Sequence, residues 1–396
     1  MNIELTYVLV TPYTLKKSRT GGILARLLSR TDLDFVSAQI VRFDDETAEQ
    51  YAQQVEQTMS KDNELIGSLA GKYIRENFSP NGETGRMHRA FLLIFRGEDA
   101  CKKITEIVGT FRNIDNNSRV FGETIRDTYA DLVFEKNSKT EVKFFEPAAF
   151  TPKSQQSAIP KLQLLSKLAR NSDNIISLSR SEEELASFEK TLVIIKPDNW
   201  RHPSSRPGNI IDMLSRTSLE IVGCKTYRMS VNQALEFYGP VRDVLREKLA
   251  PTIAEKASKY LEQKFAVALD ETDLDLLTKS IGDKYAIDQF EEIIKFMAGI
   301  KPSECPAEEL DDPGKVKCMV LIYEGVDAVK KIRDVLGPTD PTKAPGGTVR
   351  RDFGSNVMVN TAHASDSVES FEREKKILQG HKNTLSDVID NFLDNM

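Results

Sequence analysis

The chain is written twice. TYVLVTPY (6–13) returns as TLVIIKPD (191–198), and GGILARLLSRTDLDFVSAQIVRF (21–43) returns as GNIIDMLSRTSLEIVGCKTYRM (208–229), with SRT shared. FLLIFRGEDACKKITEIVG (91–109) returns as MVLIYEGVDAVKKIRDVLG (319–337), and GETIRDTYADLVF (122–134) as GGTVRRDFGSNVM (346–358). AEQY ending at Tyr51 answers ALEFY ending at Tyr238. Matches in one shared order mean one fold unit used twice. YVLV and LVII suit buried strands, ILARLLSR and IIDMLSR place apolar residues at helical spacing, and FVSAQIVRF and EIVGCKTYRM alternate as half-buried strands do. EGVDAVKKIRDVLG reads as a helix stopped by Gly337. Each copy is therefore expected to follow the βαββαβ order of the ferredoxin-like α+β plan.

A length of 396 residues agrees with two domains. The first copy is expected over residues 1–150. A linker carrying one helix, KLQLLSKLAR, follows over 151–189, and the second copy covers 190–396. About residues 251–317 the repeat is interrupted by helical patterns (IAEKASKYLEQKF, FEEIIKFMAGI), read as a helical insertion that serves as a lid or an oligomer contact. The net charge of −6 and the lack of a basic cluster argue against nucleic acid as a partner. Cys101, Cys224, Cys305 and Cys318 show no CxxC spacing, which excludes a zinc ribbon or disulfide framework and points to a reducing compartment. With no basic leader and no apolar run of membrane length, the expectation is a cytoplasmic chain without a membrane partner.

Only four histidines occur, and one lies in NTAHASDSVESFERE (360–374). Alone, His363 reads as a residue before a helix, with Ser365 and Asp366 as oxygens suited to cap that helix. In company it reads otherwise. TLVIIKPD, EGVDAVKKIRDVLGPTDPTKAPGGTVRRDF and NTAHASDS stand in the order of three motifs of the nucleoside diphosphate kinase family, which the second copy resembles over about residues 190–378 apart from the insertion. The resemblance implies two nucleoside diphosphate kinase domains in tandem, with a ping-pong transfer of the γ-phosphate of ATP to NDPs and dNDPs.

A group moved between two nucleotides has to be held covalently in between, and a neutral imidazole is nucleophilic near pH 7. The resemblance gives His363 that role, Glu374 the task of orienting the ring, and Ser365 a contact with Glu374. Lys196, Arg333 and Arg350 match phosphate-contacting cations, Thr339 a phosphate-contacting hydroxyl, Tyr238 a tyrosine near the γ-phosphate and the lysine, and Asn360 a contact to sugar and phosphate. Val357 is assigned to the base side. Mg²⁺ is implied with ATP, held mainly by the nucleotide phosphates, and so is a homo-oligomer. The chain departs from the family pattern at Val359 (usually Arg), at Ala364 (usually Gly) and in NWRHPSSRP after Lys196. In the first copy the site positions align with Thr11 for Lys196, Thr105 for Arg333, Lys143 for Asn360 and Glu146 for His363, with Tyr51 and Arg126 kept. That copy is expected to be catalytically dead. A non-catalytic nucleotide-binding scaffold is the alternative, and a protein histidine kinase using His363 a third reading.

Overall fold

The computed structural model describes residues 3–111, 122–136, 138, 141–177 and 187–396. The first copy contributes β1 (Ile3–Val10), β2 (Asp34–Val41), β3 (Ala90–Glu98), β4 (Asp131–Phe134), β5 (Val142–Glu146) and β6 (Ala149–Phe150). Its main sheet has the order β2-β3-β1-β6, and β4 pairs with β5 as a separate hairpin. The second copy contributes β7 (Phe188–Ile195), β8 (Glu220–Tyr227), β9 (Cys318–Val326) and β10 (Ala362–Ala364), in the order β10-β7-β9-β8. Counting main-sheet strands within each copy, both orders are 2-3-1-4, the ferredoxin-like arrangement that the repeat predicts. In both copies a left-handed aspartate, Asp99 (φ 53°) or Asp327 (φ 54°), turns the chain from the third strand into the helix Ala100–Val108 or Ala328–Leu336. The central strands read as continuous apolar runs because both of their faces are covered; Val8 lies opposite Leu93 and Val193 opposite Leu321.

The segment read as a linker holds more than a connector. Its helix, Gln155–Arg170, starts on an Ser154 N-cap and packs on β1 and on the helix Asp45–Met59. Leu162, Leu165 and Leu168 share a core with Leu9, Tyr51 and Tyr73. It follows β6 as the Ser367-capped helix Val368–Ile377 follows β10, so it is the closing helix of the first copy. The chain's last helix, Leu385–Asp394, also covers the first copy. Leu385 and Ile389 join the same core, Ser166 Oγ donates to Asp390 Oδ1 at 2.6 Å, and Arg170 pairs with Asp390.

The copies dock through the helices Thr20–Ser29 and Arg206–Ser215. A Cβ at Gly21 would lie 2.4 Å from Asp212 N, and one at Gly208 would lie 2.2 Å from Ala25 N. Only glycine permits this backbone approach. Around it, Arg89 pairs with Glu220 (2.9 Å), Thr226 Oγ1 donates to Val36 O (2.9 Å), and Asn383 Nδ2 donates to Ala38 O and Cys224 O (both 3.0 Å).

Residues Tyr227–Cys318 form a compact unit of their own. Where the sequence suggests an insertion beginning near 251, a single 35-residue helix runs from Val231 to Phe265, with Pro240 and Pro251 inside it. Proline ordinarily marks a helix boundary, and here it does not. The helix Asp283–Ala298 packs back on it, burying Ala286, Phe290 and Ile294 with Ala250 and Ala254, and Arg246 clamps Asp283 with two bonds (2.8 and 2.6 Å). Among the described residues no helix is long and apolar enough to cross a membrane.

Gly208→Val places side-chain atoms inside the Ala25 backbone. It is expected to lower stability by about 1–3 kcal/mol or more, read by chemical denaturation, and to speed proteolysis of the chain. A substitution at the open Gly346, where a Cβ meets nothing, serves as the control.

Candidate active site

β10 pairs antiparallel with β7, which sets His363 opposite Ile194 and Ala362 opposite Ile195. Lys196 leaves β7 at that point, and its backbone N donates to Thr361 O at 2.9 Å. Its Nζ donates to Asn360 Oδ1 at 2.7 Å, and Asn360 Nδ2 donates to Thr339 O (3.1 Å) and Val357 O (2.9 Å). Asn360 thus ties the lysine to two loops. Thr361, immediately before β10, has φ 76°, a strained setting for a β-branched residue. Its surroundings hold it there: Asn199 Nδ2 donates to Thr361 O (2.8 Å), while Arg206 donates to Thr361 Oγ1 (3.2 Å) and Phe353 O (2.6 Å).

The histidine is fixed from the helix that follows. His363 Nε2 lies 3.0 Å from Glu374 Oε1, and Ser365 Oγ donates to Glu374 Oε2 at 2.7 Å. Burial by itself would raise the Glu374 carboxyl; the His363 bond and charge, with Ser365 and Arg373, outweigh it and hold the pKa below the ordinary glutamate value. A carboxylate only accepts, so in the neutral form of the ring the proton is assigned to Nε2 and the lone pair to Nδ1. Ser365 is therefore spent on Glu374 rather than on a cap. The helix is capped by Ser367, whose Oγ accepts from Ser370 N, and Asp366 pairs with Arg333.

Arg350 donates to Gly337 O (2.8 Å) and Ala362 O (3.1 Å), bracing β10 against the loop after Ala328–Leu336. Burial, with the Arg350 charge beside it, pushes Lys196 from its ordinary 10.5 down to about 7, against the pull of Asp198. Burial raises Asp198 despite the charges of Arg206 and Lys196. Thr339 is exposed, and Val357 points its side chain largely to solvent (56 % exposed). Tyr238 belongs to the Tyr227–Cys318 unit, buried on the helix Val231–Phe265 with its ring 5.0 Å from that of Phe237. Among the expected residues of the other unit, then, His363, Glu374 and Ser365 form one cluster and Lys196, Asn360 and Arg350 gather around β10. Arg206, Asp198 and Thr361 were not anticipated. The arginine falls inside the unfamiliar NWRHPSSRP insertion, and a left-handed threonine leaves no mark in sequence.

A nucleophilic ring nitrogen with its tautomer fixed, next to buried cations, suits transfer of an anionic group. A sequence profile described as nucleoside diphosphate kinase matches residues 312–383. A Helicobacter pylori protein named nucleoside diphosphate kinase is 31% identical over 186 residues, covering 47% of this chain and 91% of its own. This chain belongs to the nucleoside diphosphate kinase family. A Saccharolobus islandicus protein of the same name is 31% identical over 190 residues, covering 48% of this chain and 94% of its own. A solved NDP kinase from Pyrobaculum aerophilum aligns over 48% of this chain and 94% of its own, at 25% identity and TM-score 0.30.

The first copy has the family fold with a different interior at this end. Thr11 N donates to Ala148 O as Lys196 N donates to Thr361 O, and Gly109 N to Thr105 O as Gly337 N to Arg333 O. Arg126 donates to Gly109 O and Ala149 O as Arg350 does to Gly337 O and Ala362 O. The counterpart of His363 is therefore Phe150, opposite Leu9, and not Glu146; the counterpart of Asn360 is Pro147, and not Lys143. The alignment slips because the stretch from the arginine to its second carbonyl spans 23 residues in the first copy and 12 in the second. The β4–β5 hairpin lies within that longer stretch. Phe150 packs its ring 6.1–6.4 Å from Tyr51, Tyr73 and Phe78. Glu146 accepts from Thr11 Oγ1 (2.6 Å), Tyr73 OH (2.5 Å) and Ala148 N (3.0 Å), and burial raises its pKa despite them. Aromatic filling at the histidine position is one feature that separates this end from the second copy's.

Lys196→Met tests the electrostatics. The folded pKa lies below the unfolded one, so the lysine opposes folding fully below about pH 7, and that penalty fades as pH rises to its ordinary 10.5. It exceeds the ~1 kcal/mol lost by leaving Asn360 one bond short. The variant is expected to be more stable than the parent at pH 7, with the gap shrinking toward pH 10 in melts run across that range.

Proposed function

We propose that the chain is a nucleoside diphosphate kinase that moves the γ-phosphoryl group of ATP to NDPs and dNDPs through a phosphohistidine at His363, one such site per chain. The observation that carries the reading is the His363–Glu374–Ser365 relay, which presents Nδ1 as the nucleophilic nitrogen. In the first half-reaction the Nδ1 lone pair attacks the γ-phosphorus, an N–P bond forms, and the bond to the β,γ-bridging oxygen breaks with its electron pair leaving on ADP. In the second, a terminal phosphate oxygen of the acceptor attacks, the N–P bond breaks, and the pair returns to Nδ1. The Nε2 proton stays throughout, and the charge on Glu374 stabilises the electron-poor phospho-ring.

Lys196, Arg333, Arg350 and the Thr339 hydroxyl are the groups proposed to meet the phosphates. Asn360 would meet sugar and phosphate, Val357 the base, and Tyr238 the γ-phosphate. A phosphate facing Lys196 raises its pKa and so recruits the charged form. For Arg333, phosphate oxygens would replace Asp366 as partner. Mg²⁺ would come with ATP, held mainly by the nucleotide phosphates, where it would neutralise charge. Within the same proposal the chain works in the cytoplasm and associates into homo-oligomers, and the docked first copy stands in for a second catalytic domain.

The test is γ-labelled ATP with Mg²⁺, removal of nucleotide, then a GDP chase. Acid-labile label on the native protein that passes to GTP and is absent in His363→Ala is the expected result. Glu374→Gln is expected to slow labelling by roughly a hundredfold. Nucleotide binding without any label on the native protein would replace this reading by the scaffold.

A further inference from the structure

The contact between the copies is reciprocal at its centre, where Gly21 faces Asp212 and Gly208 faces Ala25, yet its two flanks are filled differently. On one flank the Trp200 ring stacks on Phe35 (5.9 Å, 14°), and Phe35 packs on Phe95 (5.2 Å). The repeat defines the counterparts on the other flank. Trp200 stands four residues after Lys196 and Leu15 four after Thr11. Phe35 follows Leu33, which packs at Gly97, and Ile221 follows Leu219, which packs at Gly325. Phe95 lies opposite Thr6, and Tyr323 opposite Thr191. By the register of the docked helices, Leu28 answers to Ser215.

Leu15, Ser215, Ile221 and Tyr323, where the first flank has Trp200, Leu28, Phe35 and Phe95, line a cavity of about 480 Å³. Two rings have become aliphatic and a leucine has become a serine, so the room left is that of an aromatic side chain. The fourth change adds a hydroxyl. Tyr323 and Thr20, only 1% and 2% exposed, form part of its wall. The cavity's charges are also unequal. Glu220 is paired with Arg89 (2.9 Å) and Glu324 with Lys190 (2.9 Å), whereas Lys16 and Lys331 have no carboxylate partner among the described residues. Arg89 is further engaged with Ile221 O. What is left over is positive and carried by two ammonium groups, which suits a carboxylate.

We propose that this cavity is a second ligand site, taking a flat aromatic carboxylic acid. Its ring occupies the space that Trp200 fills on the opposite flank, and its carboxylate meets Lys16 and Lys331. The site lies between the copies and is independent of the His363 reading.

Indole-3-propionate, which carries the missing ring and a carboxylate, is the probe, titrated calorimetrically into the full chain. Saturable binding of one equivalent is expected, unaffected by excess ADP. Leu15→Trp restores the plug and is expected to weaken binding at least tenfold while raising the melting temperature. Should that variant fail to fold, Ile221→Phe fills the same space. Lys331→Met, which removes one of the two ammonium groups, is expected to weaken binding several-fold. No saturable binding, equal binding to the filled variant, or displacement by ADP would each overturn the proposal.

Discussion

The approach of two backbones at Gly21 and Gly208 is the constraint on which the rest of the two-copy body depends. Side chains ordinarily hold helices 8–10 Å apart at their axes. Here the glycines let main chain meet main chain, so the copies share one interior instead of touching through a polar rim. That closeness is what lets the Leu385–Asp394 helix, written at the end of the second copy, complete the core of the first. It also makes the flanks comparable position by position, so that Leu15 in place of Trp200 becomes a difference in volume rather than a neutral substitution.

The active end works under the opposite pressure. Glu374 and Lys196 are both nearly buried, and removing a charge from water costs several kcal/mol unless partners replace the water. The two residues resolve this differently. Glu374 keeps its charge because His363, Ser365 and Arg373 surround it, and its pKa falls. Lys196 has an amide oxygen and a second cation nearby, and its pKa falls toward neutrality. One group thus keeps its charge among its partners, and the other is shifted toward its neutral form. The strained Thr361 belongs to the same logic, since a backbone bond from Lys196 and side-chain bonds from Asn199 and Arg206 hold the turn that aims β10.

The sheets were legible because duplication displays each strand twice, and the residues around His363 because three motifs keep family order. The failures have local causes. His363 was matched to Glu146 because the alignment after the arginine allows seven extra residues in the first copy where the structure has eleven, and the β4–β5 hairpin that takes them up has no equal among the described residues of the second copy. KLQLLSKLAR looked like a linker helix because its apolar stripe says that it is buried but not against what. The helix carrying Tyr238 was cut at Pro251, where the usual stop signal is overridden. The shared cavity was out of reach, since it depends on which aromatic stands opposite which aliphatic across two copies.

Duplication lets one copy hold a cluster of buried charges while the other closes its core. A site of buried charges and left-handed backbone is a standing cost, and a chain with two copies needs to carry it only once. The first copy shows what the same fold does when released: Phe150, Tyr51, Tyr73 and Phe78 close into an aromatic cluster, and Glu146 is held by hydroxyls and a backbone amide. The change goes deeper than the position of His363. Counting from the matched caps Ser154 and Ser367, Lys161 stands where Glu374 stands, donating to Thr58 Oγ1 (2.8 Å) and Ser157 O (3.0 Å), with burial pushing its pKa down to about 8. A histidine returned to position 150 would therefore meet an ammonium in place of a carboxylate. Nothing there would hold its proton on Nε2, and no lysine would follow β1, because Thr11 occupies that position. The difference is spread over the positions of His363, Glu374 and Lys196, so no single substitution in the first copy recreates the cluster.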